Sequence, residues 1–336
     1  MKKELMEKLK QSRGSWVSGE ALSDALGVSR SAVWKHMEAL RREGCAIEAA
    51  PRKGYRLSGP PDLLDEDEIR ASLGTGLFGG NQILYLSETE STNAVARRMA
   101  AAGAPEGTIV VAGSQKEGRG RKGRDWFSPP GAGLYASIIL RPALPPSQAF
   151  MFSLLSALAV ADGIAGLDPR LEPAVKWPND VLINGRKVSG ILIELSTEAD
   201  LLDHVVVGFG INVNTARFPP GLRTEPTSLL LEAGRRFPRA SVLGSVLERF
   251  ESKYRRFSRE GPEPVLSDWR KRCDIEGREV SVEWLGEAIR GVVKCIDRDG
   301  ALIVEDADGK THRVHSGDVL YRDRAGAPAV DVRKNR

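Results

Sequence analysis

The chain has 336 residues, 41% of them hydrophobic and 28% charged, with 49 Lys and Arg against 45 Asp and Glu. Those proportions are ordinary globular values that argue against wholesale disorder, and the length accommodates two or three domains with separate cores. The charge is uneven: residues 1–57 carry 12 Lys and Arg against 7 Asp and Glu, while the remainder is close to neutral, so a polyanion is expected to meet the N-terminal part.

The N-terminus, MKKELMEKLK, is charged throughout and has no apolar signal core. Cys45, Cys273 and Cys295 are far apart and form no CxxC pair, which argues against a disulfide framework or a zinc site and fits a reducing cytoplasm. In SGEALSDALGVSRSAVWKHMEALRREG, Ser18 and Ser29 are N-caps of two successive helices, and Gly27 and Gly44 are their stops. Ala21, Leu22, Ala25 and Leu26 give the first helix an apolar stripe, Val28 enters the core, and Val33, Met37 and Leu40 give the second its stripe. Ser29, Arg30, Ser31, Trp34 and Lys35 lie on faces that this core does not claim, where they can reach phosphates and base edges. AIEAAPRKGYRL reads as a hairpin with a basic tip at Arg52-Lys53-Gly54, so the whole is a winged helix-turn-helix over residues 1–60. A helical interaction domain with solvated charges is the alternative. SGPPD, 58–62, reads as a linker.

The body, 63–268, alternates strands, helices and glycine loops. Ser91 and Thr92 are expected to cap a helix that ends at Gly103, and GTIVVAG and GLYASIILRP read as buried strands. Between those strands lies GRGRKGRDW, Gly118 to Trp126. Its glycines have the spacing of a nucleotide-binding P-loop, but Arg124-Asp125 stands where Lys-Ser/Thr is required, and Pro129-Pro130 leaves no room for a phosphate-capping helix. A phosphate here would be met by backbone N–H groups and guanidinium forks. The uncharged run 142–161 is long enough to span a membrane, yet Pro145-Pro146, Ser147 and Gln148 inside it and Asp162 after it favour a buried helix, and no membrane partner is expected. AVKWPNDVLINGRKVSGILIEL places Lys176, Trp177, Asn179, Asp180 and Lys187 around a hairpin at Asn184-Gly185, and HVVVGFGINVN brings Gly208 and Gly210 to the end of a strand.

Residues 269–323 read as short strands with hairpins at RDG and ADG, a small SH3-like barrel, with His312 and His315 solvated. The tail 324–336 is expected to be disordered.

The order STN, QKEGRGRKGRDWFSPPGAGLY, KWPNDVLINGRKVSGILIE and GFGINVN, behind a winged helix, resembles the bifunctional biotin–protein ligases that also repress biotin genes. The resemblance covers residues 3 to 322. It implies an α+β architecture: an N-terminal winged helix-turn-helix, a central mixed-sheet, class II synthetase-like ligase domain, and a C-terminal SH3-like β-barrel. It further implies that biotin and Mg-ATP form biotinyl-5′-AMP, and that biotin then passes to one lysine of a biotin carboxyl carrier protein.

By position in the family's motifs, Ser91, Thr92, Asn93, Gln115, Gly118, Arg119, Gly120, Arg121, Trp126, Lys187, Gly190, Gly208, Gly210 and Asn212 bind biotin or the adenylate. Arg121 and Lys187 are the catalytic cations, joined by Arg119 in neutralising charge. Asp180 is the candidate base for the incoming lysine and, with Mg2+ brought by ATP, a candidate metal contact beside Asn179. NTARFPPGLRTEPTSLL, 214–230, corresponds to the segment that orders over adenine. The resemblance also implies operator DNA as a partner and a homodimer of the adenylate-bound form. Ala94 and Lys122 depart from frequent family residues at positions given no chemical role. A biotin-responsive regulator without catalysis, a single-function biotin ligase and a lipoate ligase remain as alternatives.

Overall fold

The computed structural model describes residues 1–284 and 287–321; the tail 324–336 lies outside the described residues. The N-terminal part holds helices α1 (Lys2–Gln11), α2 (Gly19–Leu26) and α3 (Arg30–Arg42), and the hairpin β1 (Ile47–Ala50) and β2 (Gly54–Leu57). Ser18 Oγ accepts from Ala21 N at 3.0 Å and Ser29 Oγ from Ala32 N at 3.2 Å, and Gly27 takes φ +65, so caps and stop are as expected. The stripe of α2 is narrower than expected: Leu22 is buried and Leu26 half-buried, but Ala21 and Ala25 are exposed. Helix α1, not anticipated, fills the gap with Leu5, Met6 and Leu9, which join Val33, Met37 and Leu40 in one core.

The linker is not a loose tether. It ends at Asp62, 2% exposed, and leads into the buried Leu63 and Leu64. Next come α4 (Glu66–Ser72), β3 (Ile83–Leu86), α5 (Thr92–Ala101), β4 (Ile109–Ala112), β5 (Leu134–Leu140) and α6 (Met151–Leu167). They are followed by β6 (Pro173–Lys176), β7 (Asp180–Ile183), β8 (Arg186–Glu198), β9 (Leu201–Ile211), α7 (Leu229–Ala233), α8 (Arg239–Glu260) and α9 (Glu263–Arg272). The strands form one mixed sheet, β3-β4-β5-β9-β8-β7-β6, with β3 and β4 parallel and the other neighbours antiparallel.

Alternation divides the sheet residues between two helical layers. Val110, Ile139 and Val206 meet Ala96 and Ala100 of α5, while Ile109, Val111, Ile138, Val205 and Val207 face the main core with α6 and α8. Helix α6, the former membrane candidate, is the centre of that core. The β7–β8 turn has Asn184 at φ +50 and Gly185 at φ +74, the left-handed pair that a two-residue hairpin needs.

Residues 269–272 belong to α9, where short strands were expected; Trp269 is buried there at 1% exposure. The C-terminal sheet comprises β10 (Glu279–Trp284), β11 (Glu287–Ile296), β12 (Leu302–Glu305), β13 (Thr311–Val314) and β14 (Asp318–Tyr321), all antiparallel in the order β13-β12-β11-β10-β14. Its turns are closed by Asp297 and Asp306, whose carboxylates accept backbone N–H groups two and four residues on. His312 is not simply solvated. Its Nε2 lies 2.6 Å from Asp306 Oδ2, and His315 Nε2 lies 3.0 Å from Arg313 Nη1.

Candidate functional site

Three glycines, Gly190, Gly208 and Gly210, open a small floor on adjacent strands of the sheet. Gly210 pairs with Gly190 on one side and Tyr135 on the other, and Gly208 pairs with Leu192 and Ser137. Trp126 stands on this floor: a Cβ at Gly210 would come 2.5 Å from its indole, and one at Gly190 3.0 Å. Gly208 is occupied differently. A Cβ there would meet Asn93 Oδ1 at 2.1 Å, so Gly208 makes room for Asn93.

The polar atoms of Asn93 are spent on the fold: Oδ1 accepts from Ser137 Oγ at 2.7 Å, and Nδ2 donates to Leu192 O and Glu194 Oε2. Ser91 is buried but makes no side-chain cap. The end of α5 is served instead by Gln115, whose Oε1 accepts from Thr92 N at 2.9 Å and Thr92 Oγ1 at 3.2 Å. Gln115 Nε2 donates to Ser128 Oγ at 3.0 Å, which ties both ends of the glycine loop to the helix terminus.

The loop folds on itself as a ribbon. Trp126 N donates to Gly118 O at 2.7 Å and Gly120 N to Arg124 O at 2.6 Å, with a tight turn at Arg121–Gly123. Gly118 is required by this closure, since a Cβ would lie 2.5 Å from Ser128 Oγ; Gly120 has ordinary room.

Four residues run contiguously beside the floor. Arg121 Nη1 donates to Asn179 Oδ1 at 3.1 Å, Asp180 follows Asn179, and Asp180 Oδ1 pairs with Lys187 Nζ at 2.7 Å. Lys187 Nζ lies 5.4 Å from the centre of the Trp126 ring. Burial pulls the Arg121 guanidinium below its ordinary value, against the opposing influence of Asp318 and Asp180. A desolvated fork of five donors with a neutral partner is ready for an anion. Arg119 is not part of this group: it is exposed and pairs with Glu117 at 3.2 Å.

Residues 225–227 lie along β8, with Lys187 N donating to Glu225 O and Thr227 N to Lys187 O. Asn212 Nδ2 donates to Thr227 O at 2.9 Å and holds that segment in place. Phe218 meets Phe127 edge-on at 6.3 Å.

Several residues were missed in the sequence. Tyr135, 1% exposed, donates to Pro129 O at 3.1 Å, and burial pushes its phenol up. Alternation in LYASIIL, with Tyr135 and Ser137 in register with Gly210 and Gly208, was the available signal. Asp318 gathers Arg124, Lys122 (3.5 Å) and Arg223 (3.1 Å), a cluster that no local pattern announces. Hydrogen bonding from Arg124 holds the Asp318 carboxyl at about 2.

On the N-terminal part, Ser29 Oγ lies 2.9 Å from Ser31 Oγ, and Arg30 pairs with Glu20 at 2.7 Å. Trp34 and Lys35 are exposed beside them. Arg52, at φ +64, and Lys53 form the hairpin tip, and Lys53 Nζ and Arg56 lie 6.0 and 4.8 Å from the Trp16 ring.

Residues 85–212 match the model of the biotin/lipoate A/B protein ligase family, residues 2–56 an HTH domain, and residues 276–322 the biotin protein ligase C terminal domain. The chain is 40% identical over 324 residues to the bifunctional ligase/repressor BirA of Bacillus subtilis, covering 95% of this chain and 98% of the relative. It is 33% identical to that of Escherichia coli, over 92% of this chain and 94% of the relative. A biotin protein ligase from Aquifex aeolicus in complex with biotin and ATP superposes with a TM-score of 0.61 at 29% identity, covering 72% of this chain and 98% of that one.

Proposed function

This chain belongs to the bifunctional ligase/repressor family of biotin protein ligases, and we propose from that premise how its own residues do the work. It is an ATP-dependent biotin ligase and a repressor. The observation that carries the catalytic reading is the contiguous series Arg121–Asn179–Asp180–Lys187 beside a glycine floor braced by Trp126.

In the first half-reaction a biotin carboxylate oxygen attacks the α-phosphorus of ATP, and the bond to the departing pyrophosphate breaks. Two anions must approach, so preorganised cations lower the barrier. Lys187 and Arg121 supply them, Arg121 at a desolvated position where its charge is poorly screened. Trp126 covers the anhydride from water, and the ribbon 118–126 closes by its own backbone bonds.

In the second half-reaction the ε-amine of a carrier-protein lysine attacks the acyl carbon and AMP leaves. Asp180 has one oxygen engaged by Lys187 and takes the proton that the amine sheds on its other.

Magnesium arriving on ATP would shield the phosphate charge, and Asp180 suits it, because a phosphate-borne magnesium ion needs as little as one protein carboxylate. The Asn179 amide does not suit it, being spent on Ile191 O at 2.7 Å and on Arg121. Segment 214–230 covers the adenine, supported by its attachment to Lys187 and Asn212.

The carrier protein is a biotin carboxyl carrier of the acetyl-CoA-carboxylase type, and the compartment is the cytoplasm, a setting that suits three unpaired cysteines. Operator DNA is bound by α3 and the hairpin tip. The adenylate-bound form is a homodimer joined through β8, which beyond Gly190 has β9 on one side and no paired strand on the other among the described residues.

Mass spectrometry of a reaction with the purified protein, biotin, Mg-ATP and a biotin-acceptor domain tests the catalytic reading, with lipoate in a parallel tube. One biotin mass added to the acceptor is expected. Absence of both that shift and biotinyl-5′-AMP would leave a regulator without catalysis.

A further inference from the structure

The chain has six tryptophans, all within the described residues. Trp177 and Trp269 are buried at 1% exposure, Trp284 packs against the core, and Trp126 stands on the glycine floor. Trp16, in the same small domain as Trp34, is covered by Arg56 and Lys53. Trp34 alone is exposed, at 59%. Its helix already obtains its core from Val33, Met37 and Leu40, and no ring or cation contact reaches Trp34 among the described residues.

Its surroundings specify what covers it. One helical turn toward the N-terminus are Arg30 and Ser31, and Lys35 is adjacent; all three are exposed, as are Arg52 and Lys53 at the hairpin tip. An apolar ring ringed by cations and a hydroxyl suits a polyanion that also presents apolar groups. A protein partner's greasy pocket would leave those cations without counterparts. In duplex DNA the apolar group in the major groove is the C5-methyl of thymine, and it is absent from the other bases. The first two turns of a recognition helix are the part that reaches base edges.

Resting on the reading that the winged helix binds operator DNA, we infer that Trp34 is a specificity-determining residue whose indole packs on a thymine methyl in each half-site. Arg30, Lys35, Arg52 and Lys53 neutralise phosphates and set affinity, whereas Trp34 sets which sequence is held. Glu20 releases Arg30 when a phosphate replaces it, an exchange between solvent-exposed groups with side-chain exposures of 67% and 65%.

The test uses the full chain with biotin and Mg-ATP. Duplexes are enriched from a random library by the wild type and by Trp34→Ala, and each thymine of the wild-type consensus is then replaced by uracil, which removes only the methyl. Wild-type binding is expected to fall about tenfold at one thymine per half-site. Trp34→Ala is expected to lose that dependence, to keep its affinity for poly(dI-dC) within about twofold, and to biotinylate an acceptor at the wild-type rate.

Enrichment of a sequence whose uracil forms bind both proteins equally well would overturn the role of Trp34 alone. So would a Trp34→Ala consensus identical to that of the wild type. Failure of the wild type to enrich any sequence would overturn the DNA reading itself, and the inference with it.

Discussion

Asp62 and Arg239 form an ion pair 3.0 Å long at 2% and 1% exposure, where the winged helix, the linker and the ligase body meet. Arg239 also donates to Glu43 O at the end of α3, and Asn214 joins Asp62 at 3.1 Å while its own N–H donates to Ala132 O at 2.6 Å. Gly44 and Gly131 touch backbone to backbone; a Cβ on Gly44 would lie 2.1 Å from Gly131 O. The end of α3 therefore abuts the end of the segment that follows the glycine loop. Removing one partner strands a buried charge, so Asp62→Ala should cost about 3–5 kcal/mol in urea unfolding, and Asp62→Leu with Arg239→Met should recover much of it. Equal stability of Asp62→Ala and wild type would mean that water reaches Arg239.

Gly210→Ala places a methyl group 2.5 Å from the Trp126 indole, on a strand that cannot yield. The ring must leave the floor, and biotin affinity measured by calorimetry should drop at least about tenfold. Gly166→Ala, on α6 with 3.8 Å of room, should leave both binding and stability unchanged. If Gly210→Ala binds biotin normally, Trp126 is not part of the pocket wall.

These two sites also measure how far the sequence could be read. Caps at Ser18 and Ser29, the turn at Asn184-Gly185 and the strands around the glycine loop are local, and local chemistry sufficed for them. The candidate set at Arg121, Asp180 and Lys187 came from the family resemblance, and the fold brings these residues together. What escaped depends on distant partners. The Arg124–Asp318 pair spans 194 positions, Asp62 finds Arg239 across 177, and Gln115 takes over the end of α5 from Ser91. Arg119 illustrates the converse: its motif position suggested a phosphate contact, yet ribbon pairing turns it to solvent and Glu117.

Lys187→Met removes a cation and leaves Asp180 alone. Biotin-dependent exchange of pyrophosphate into ATP should fall about 10²–10³-fold, while transfer from preformed biotinyl-5′-AMP to an acceptor should fall less. Asp180→Asn should slow transfer more than exchange, which it touches only through the lost magnesium contact, and the pH dependence of its transfer step should steepen, since only the deprotonated amine then reacts. Equal losses in both half-reactions for both variants would contradict this division of labour.

The Asp318 cluster carries a pH signature. Its carboxyl is held at about 2, chiefly by hydrogen bonding from Arg124, against an unfolded value of about 3.9. A depressed carboxylate stabilises the fold fully above its unfolded pKa, and that stability is lost as pH falls through its folded value. The difference in urea stability between wild type and Asp318→Asn should thus be constant from about pH 5 to 7 and vanish between about pH 4 and 2. A difference that grows on acidification would assign the depressed carboxyl to another residue.

The free side of β8 leads to the last expectation. An unpaired strand edge is a template for a second copy, and in a two-fold arrangement each β8 would pair with its counterpart in antiparallel register. Leu195, 47% exposed on β8 itself, gives the interface its apolar component. Biotin and Mg-ATP should therefore shift the wild type toward dimer in sedimentation at micromolar concentration, and Leu195→Lys should weaken that dimer by at least about tenfold while leaving biotin transfer intact. Repression should fail with it, because one winged helix alone grips a single half-site and forfeits the second set of phosphate contacts. If Leu195→Lys dimerises as the wild type does, β8 is not the joint.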